Sequence, residues 1–154
     1  MLIPPLESDG FLPAGIHSAS LAETVERFGT GSERREGLAK LLASLVQAAS
    51  AYPHAKRVLV WGSFPSAKRE PGDLDYSLVV GVDFRIAALQ GNDRRFFIPF
   101  LARQHYGTDT GFVLVSDWPI ESYSTRLDFI CHRRGGQEVR GIIEISLHGE
   151  VVGN

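Results

Sequence analysis

One cysteine, Cys131, stands in 154 residues, so no intramolecular disulfide is available and nothing in the chain asks for an oxidising compartment. Long apolar runs are also missing. No stretch approaches the roughly 18 residues needed to cross a bilayer, so no membrane partner is expected. Charge of one sign is not in excess. The net charge of −2 gives no global basic field for non-specific nucleic-acid binding, although Lys68–Arg69, Arg94–Arg95 and Arg133–Arg134 come as local pairs. The first ten residues, MLIPPLESDG, lack a basic segment followed by an apolar one, so no secretory signal is expected and the expected location is cytoplasmic. The five histidines have no metal-cluster spacing, which argues against zinc. Repeats and low-complexity tracts are absent too.

What is present is an ordinary globular composition, 44% hydrophobic and 22% charged, at a length that suits one domain over residues 1–154. Residues 1–16, rich in proline and turn formers, read as an irregular lead-in. Ser18 or Ser20 can cap a first helix ending near Phe28, with Glu23 in capping-box register to Ser20. Ser32 caps a second, whose Leu38, Leu41, Leu42, Leu45 and Val46 form one apolar stripe before Tyr52–Pro53. Arg57–Trp61 reads as a buried strand and the start of GSFPSAKREPG as a short helix. Leu74–Gly81 is a second strand, and Asp93–Tyr106 a helix kinked or starting late at Pro99. Asp109–Val115 is a third strand, and Leu127–His132 and Arg140–Leu147 pair around Gly135–Gly136. Helices early and strands late predict an α+β fold, a mixed sheet flanked by helices.

The chemistry concentrates in VWGSFPSAKREPGDLDYSLVV, residues 60–80. Gly62 and Ser63 follow a buried strand. Glycine permits a sharp turn and close approach of a ligand, and a serine hydroxyl with free amides suits a phosphate. Asp73 and Asp75, at i and i+2 on a strand, would share one face while Leu74 points into the core. Same-face carboxylates repel unless a cation lies between them, and hard cations such as Mg²⁺ take carboxylates together with substrate phosphates. The bland alternative is a turn, since Pro71–Gly72–Asp73 is good turn sequence by itself.

Gly62–Ser63, nine residues, then Asp73–Leu74–Asp75 with apolar flanks resembles the signature of the DNA polymerase β-like nucleotidyltransferase superfamily. Trp61 and Leu74 fill hydrophobic positions of that signature, and Tyr76 stands where an aliphatic residue is more usual. At lower specificity, LPAGIHSASLAETVERFG and RGIIEISL look like small bacterial nucleotidyltransferase-like proteins, some of them linked to toxin–antitoxin or phage-defence systems. The resemblance implies a minimal single-domain nucleotidyltransferase fold, with Asp73 and Asp75 as catalytic ligands of Mg²⁺ or Mn²⁺. It implies a third carboxylate on the strand after the intervening helix. Asp109 is the candidate, and Asp117 and Asp128 are rivals. Gly62 and Ser63 would hold nucleotide phosphates, and Lys68 and Arg69 either reach the triphosphate or form a solvated loop face. The implied substrate is an NTP, ATP first, with a protein, RNA end or small molecule as acceptor. A member of the same fold without catalysis would instead bind nucleotide or a partner protein.

Other residues are read structurally. His17 reads as a structural hydrogen-bonder near a helix start, with a binding residue as the alternative, and Cys131 as a packed small side chain. Arg94 and Arg95 lie on an exposed helix start. Phe96, Phe97 and Phe100 read most simply as helix core contacts, with nucleobase stacking as the alternative, and Glu144 as a solvent-side residue of an alternating strand.

Overall fold

A computed structural model describes residues 3–114 and 141–148. The predicted strand at 127–132, Cys131, Asp117 and Asp128 lie outside them. The order is β1 (Gly15–Ser18), α1 (Leu21–Phe28), α2 (Glu33–Ala49), β2 (Ala55–Trp61), β3 (Asp75–Val80), α3 (Asp93–Phe97), α4 (Pro99–Tyr106), β4 (Asp109–Leu114) and β5 (Gly141–Ser146), with a 3-10 turn at Ile86–Ala88. The chain is thus α+β, with four helices and a mixed five-stranded sheet among the described residues.

The helices start where capping chemistry places them. Ser20 accepts from the amide of Glu23, and Glu23 accepts in return from the amide of Ser20, completing a capping box. Ser32 caps α2 by accepting from the amide of Arg35. The predicted stripe of α2 is the face it buries: Leu38, Leu42, Leu45 and Val46 are in the core and Leu41 packs at its margin. Pro99 divides the predicted Asp93–Tyr106 helix. Ile98 is extended, and proline then sits in the first turn of α4, where its missing N–H costs nothing.

The sheet order is β1-β5-β2-β3-β4. β2 is antiparallel to β3 and β5, while β1 runs parallel to β5 and β4 parallel to β3. One face of the central strands presents Val58, Val60, Tyr76, Leu78, Ile143 and Ile145 to the core shared with α2. The strand period of two puts Asp75, Ser77, Leu59 and Glu144 on the other face.

Four expectations are corrected. β1 lies partly inside the supposed irregular lead-in; its pairing residues, Gly141–Glu144, are more than 120 positions away in sequence, beyond any local signal. The segment after Gly62–Ser63 is a turn and loop, without a helix. Its carbonyls at Phe64, Ser66 and Lys68 all accept from Arg35 and so are not spent on helical bonds. Glu144 is buried, 3% exposed, and pairs with Arg57 at 3.8 Å; β5 is covered on both faces, so alternation does not carry it to solvent. Phe97 is core and Phe96 stacks on Tyr106 at 5.2 Å, but Phe100 is 74% exposed, because the break at Ile98 turns α4 to another heading.

Candidate functional site

The site is built where β2 ends. Trp61 pairs with Asp75, so the residue after Trp61 must leave the ladder beside the Asp75 side chain. Gly62 does so with φ +85°, in the left-handed region, and a Cβ there would overlap the Asp75 carboxylate oxygen. Glycine is required twice at this position, by the backbone angle and by the carboxylate packed on it. Ser63 continues the turn, and its carbonyl accepts from Ser66 Oγ at 2.5 Å.

Asp75 opens β3, and Asp73 precedes the strand. The ladder with β2 stops at Trp61–Asp75, so Asp73 has no cross-strand partner there and sits in the loop, which corrects its predicted place on the strand. Leu74 between them is fully buried, as the pattern requires. Asp109 begins β4 and is the parallel register partner of Asp75, which puts both side chains on one face of adjacent strands. Its position is fixed from behind. Gly107 closes α4, and buried Thr108 lies with its hydroxyl 3.5 Å from the Ala102 carbonyl and 3.5 Å from the Tyr76 hydroxyl.

Asp73, Asp75 and Asp109 each offer a carboxylate oxygen, and the three lie within 4.8 Å of one another. Among the described residues they are the group placed to share a metal ion. The donor set is all oxygen. Oxygens on opposite sides of a Mg²⁺ ion are about 4.2 Å apart, twice a bond of about 2.1 Å, so small side-chain rotations bring the three into range. Asp73 and Asp109 are exposed and Asp75 half-buried. Each like-charge pair at such spacing costs about 1 kcal/mol in water and more in a lower dielectric. Arg103, on α4, offsets part of this by donating from Nη2 to Asp109 Oδ1.

Lys68 and Arg69 stand on the loop between β2 and β3 with exposed side chains. Their carbonyls are anchored inward, Lys68 to Arg35 and Arg69 to Ser32 Oγ at 3.0 Å. His17 accepts the structural role: its Nε2 lies 2.7 Å from the Pro13 carbonyl.

Two arginines that the sequence reading passed over organise this loop. Arg35, 6% exposed, donates from Nη1 to the carbonyls of Phe28 (3.0 Å) and Phe64 (2.7 Å) and from Nη2 to those of Ser66 (2.7 Å) and Lys68, and it lies over the Phe64 ring. Burial lowers its pKa, and the Glu70 charge acts in the opposite direction. Arg34 donates from Nε to the Pro71 carbonyl at 3.0 Å and from Nη2 to that of Gly72. The available signal was their place in the first turn of a capped helix, where cations oppose the helix dipole and so call for a specific partner.

Fold and site together define an α+β protein in which two strands of a mixed sheet and the loop before β3 bring a carboxylate triad beside a glycine turn. The chain belongs to a family of unknown function, DUF6932, whose model matches residues 4–146. No curated protein and no solved structure matches it.

Proposed function

We propose that the protein is a nucleotidyltransferase of the DNA polymerase β-like fold, moving a nucleoside monophosphate from an NTP, ATP first, to a hydroxyl acceptor with Mg²⁺ or Mn²⁺ as cofactor. The observation that carries the proposal is the convergence of Asp73, Asp75 and Asp109 to within 4.8 Å, with Gly62 packed against Asp75. Residues up to 36 positions apart in sequence thus bring three carboxylates together beside the glycine turn, which supports the reading.

Bound divalent cations would neutralise the triphosphate and lower the pKa of the acceptor hydroxyl. Asp73 and Asp75 would hold the ion that carries the triphosphate, and Asp109 would shape the second position, next to the acceptor. The turn at Gly62–Ser63 would offer a hydroxyl and main-chain amides to the β- and γ-phosphates, and exposed Lys68 and Arg69 on the same loop would add further cations. The acceptor oxygen attacks the α-phosphorus in line, its bond to phosphorus forms, and the α–β bridging bond breaks to release pyrophosphate. The acceptor proton passes to a carboxylate of the triad or to solvent. The acceptor is a protein side chain, an RNA end or a small molecule.

A second reading keeps the fold and the nucleotide without turnover, as a partner-binding component of the toxin–antitoxin kind. Arg103 favours it, since its bond to Asp109 occupies the carboxylate that two-metal chemistry needs. Labelled NTPs with product analysis separate the two. Asp109→Ala is expected to suppress transfer far more than nucleotide binding, because Asp73, Asp75 and the phosphates still hold the first ion. Equal transfer by wild type and Asp109→Ala would remove Asp109 from the mechanism.

A further inference from the structure

Asp73 poses a mechanical problem. It is exposed, precedes β3, and follows Gly72, the residue type with the widest backbone freedom. Sheet pairing therefore does not fix it. An ion ligand that samples many positions binds weakly, because the ion must then bear the cost of ordering it.

The chain immediately before Asp73 is held from elsewhere. Arg34 Nε donates to the carbonyl of Pro71 at 3.0 Å, and Nη2 of the same guanidinium donates to the carbonyl of Gly72. A planar fork that spans two consecutive carbonyls fixes the direction of the chain as well as its distance, which a lysine cannot do. Further back, Ser32 Oγ holds the Arg69 carbonyl, and Arg35 holds those of Phe64, Ser66 and Lys68. The first turn of α2 thus anchors the whole loop, and Arg34 is its last anchor before the carboxylate.

We propose that Arg34 is the positioning residue of Asp73, acting through the Pro71 and Gly72 carbonyls to hold that carboxylate within reach of Asp75 and Asp109. The inference rests on reading the three acids as an ion site. It has a sign that a purely electrostatic role lacks. Removing a cation near a cation site should strengthen ion binding, whereas removing an anchor should weaken it.

The test is titration of the purified chain with Mn²⁺ alone, following the free ion by electron paramagnetic resonance, with the ion-free melting temperature as the check on folding. Arg34 is exposed, so Arg34→Ala opens no cavity and should melt within about 2 °C of wild type. Its Mn²⁺ affinity should fall about tenfold, the factor that corresponds to ordering one residue's backbone. Arg34→Lys keeps the charge without the fork and should fall between the two. In an Asp73→Asn background, itself weaker than wild type, Arg34→Ala should cost little more, because its effect runs through Asp73. Unchanged or tighter binding by Arg34→Ala, with wild type binding Mn²⁺, would overturn the clamp and leave the ion site standing. Failure of wild type to take up Mn²⁺ would remove the ion site and the clamp with it.

Discussion

Replacing Gly62 by alanine acts on the closest contact in the site and needs no assumption about function. The new Cβ meets two obstacles. The backbone sits at φ +85°, where an L-residue costs roughly 1–2 kcal/mol. The Cβ also overlaps the Asp75 carboxylate oxygen, with Asp75 Cγ at 3.3 Å, so the short side chain must leave its rotamer at about 0.5–1.5 kcal/mol. Together these give a loss of about 1.5–3.5 kcal/mol, or a melting point roughly 3–14 °C lower for a domain of this size. Urea denaturation of Gly62→Ala measures the sum, and the same substitution in an Asp75→Ala background separates the parts. With the carboxylate gone, only the backbone cost of about 1–2 kcal/mol should remain. A cost below about 0.5 kcal/mol in the single variant would refute the left-handed turn. An equal cost in both backgrounds would refute the contact with Asp75.

Arg35→Ala strands buried carbonyls at Phe28, Phe64 and Ser66 that now share one guanidinium, and should cost about 3–5 kcal/mol by chemical denaturation. A cost under about 1 kcal/mol would show that the loop holds itself. Tyr76 gives a pH signature. It is fully buried, its hydroxyl donates to the Phe96 carbonyl, and burial raises its pKa from 10.0 to about 12. The folded value lies above the unfolded one, so the neutral phenol stabilises the fold fully below pH 10.0 and that contribution is lost as pH rises towards about 12. The stability difference between wild type and Tyr76→Phe should therefore shift against wild type by about 2–3 kcal/mol over that interval, and parallel pH profiles would contradict it.

The sequence made local features legible and long-range ones only where a signature linked them. Ser20 with Glu23, the Ser32 cap, the α2 stripe and the Pro99 break are all contained within a few residues of each other, and each falls where expected. Asp109, 34 positions from Asp75, was a candidate only because the resemblance implies a carboxylate on the strand after the intervening helix; that strand, β4, lies parallel beside β3. β1 was missed because GIHS is four residues whose partner strand, β5, lies more than 120 positions away. Arg34 and Arg35 were missed because charged residues at a helix start read as a solvated face, while their acceptors lie 29 to 38 positions further along the chain. The place of Asp73 depended on the length of β2, which ends at Trp61 and leaves Asp73 outside the ladder.

If the triad and the glycine turn form one nucleotide–metal site, as proposed, ATP binding must depend on both the ion and the carboxylates. Calorimetric titration with ATP, with and without Mg²⁺, tests it most directly. Heat of binding should appear with Mg²⁺, be lost with a chelator, and be lost in Asp75→Asn even with Mg²⁺ present. Binding that is the same with and without Mg²⁺, or that survives in Asp75→Asn, would contradict it.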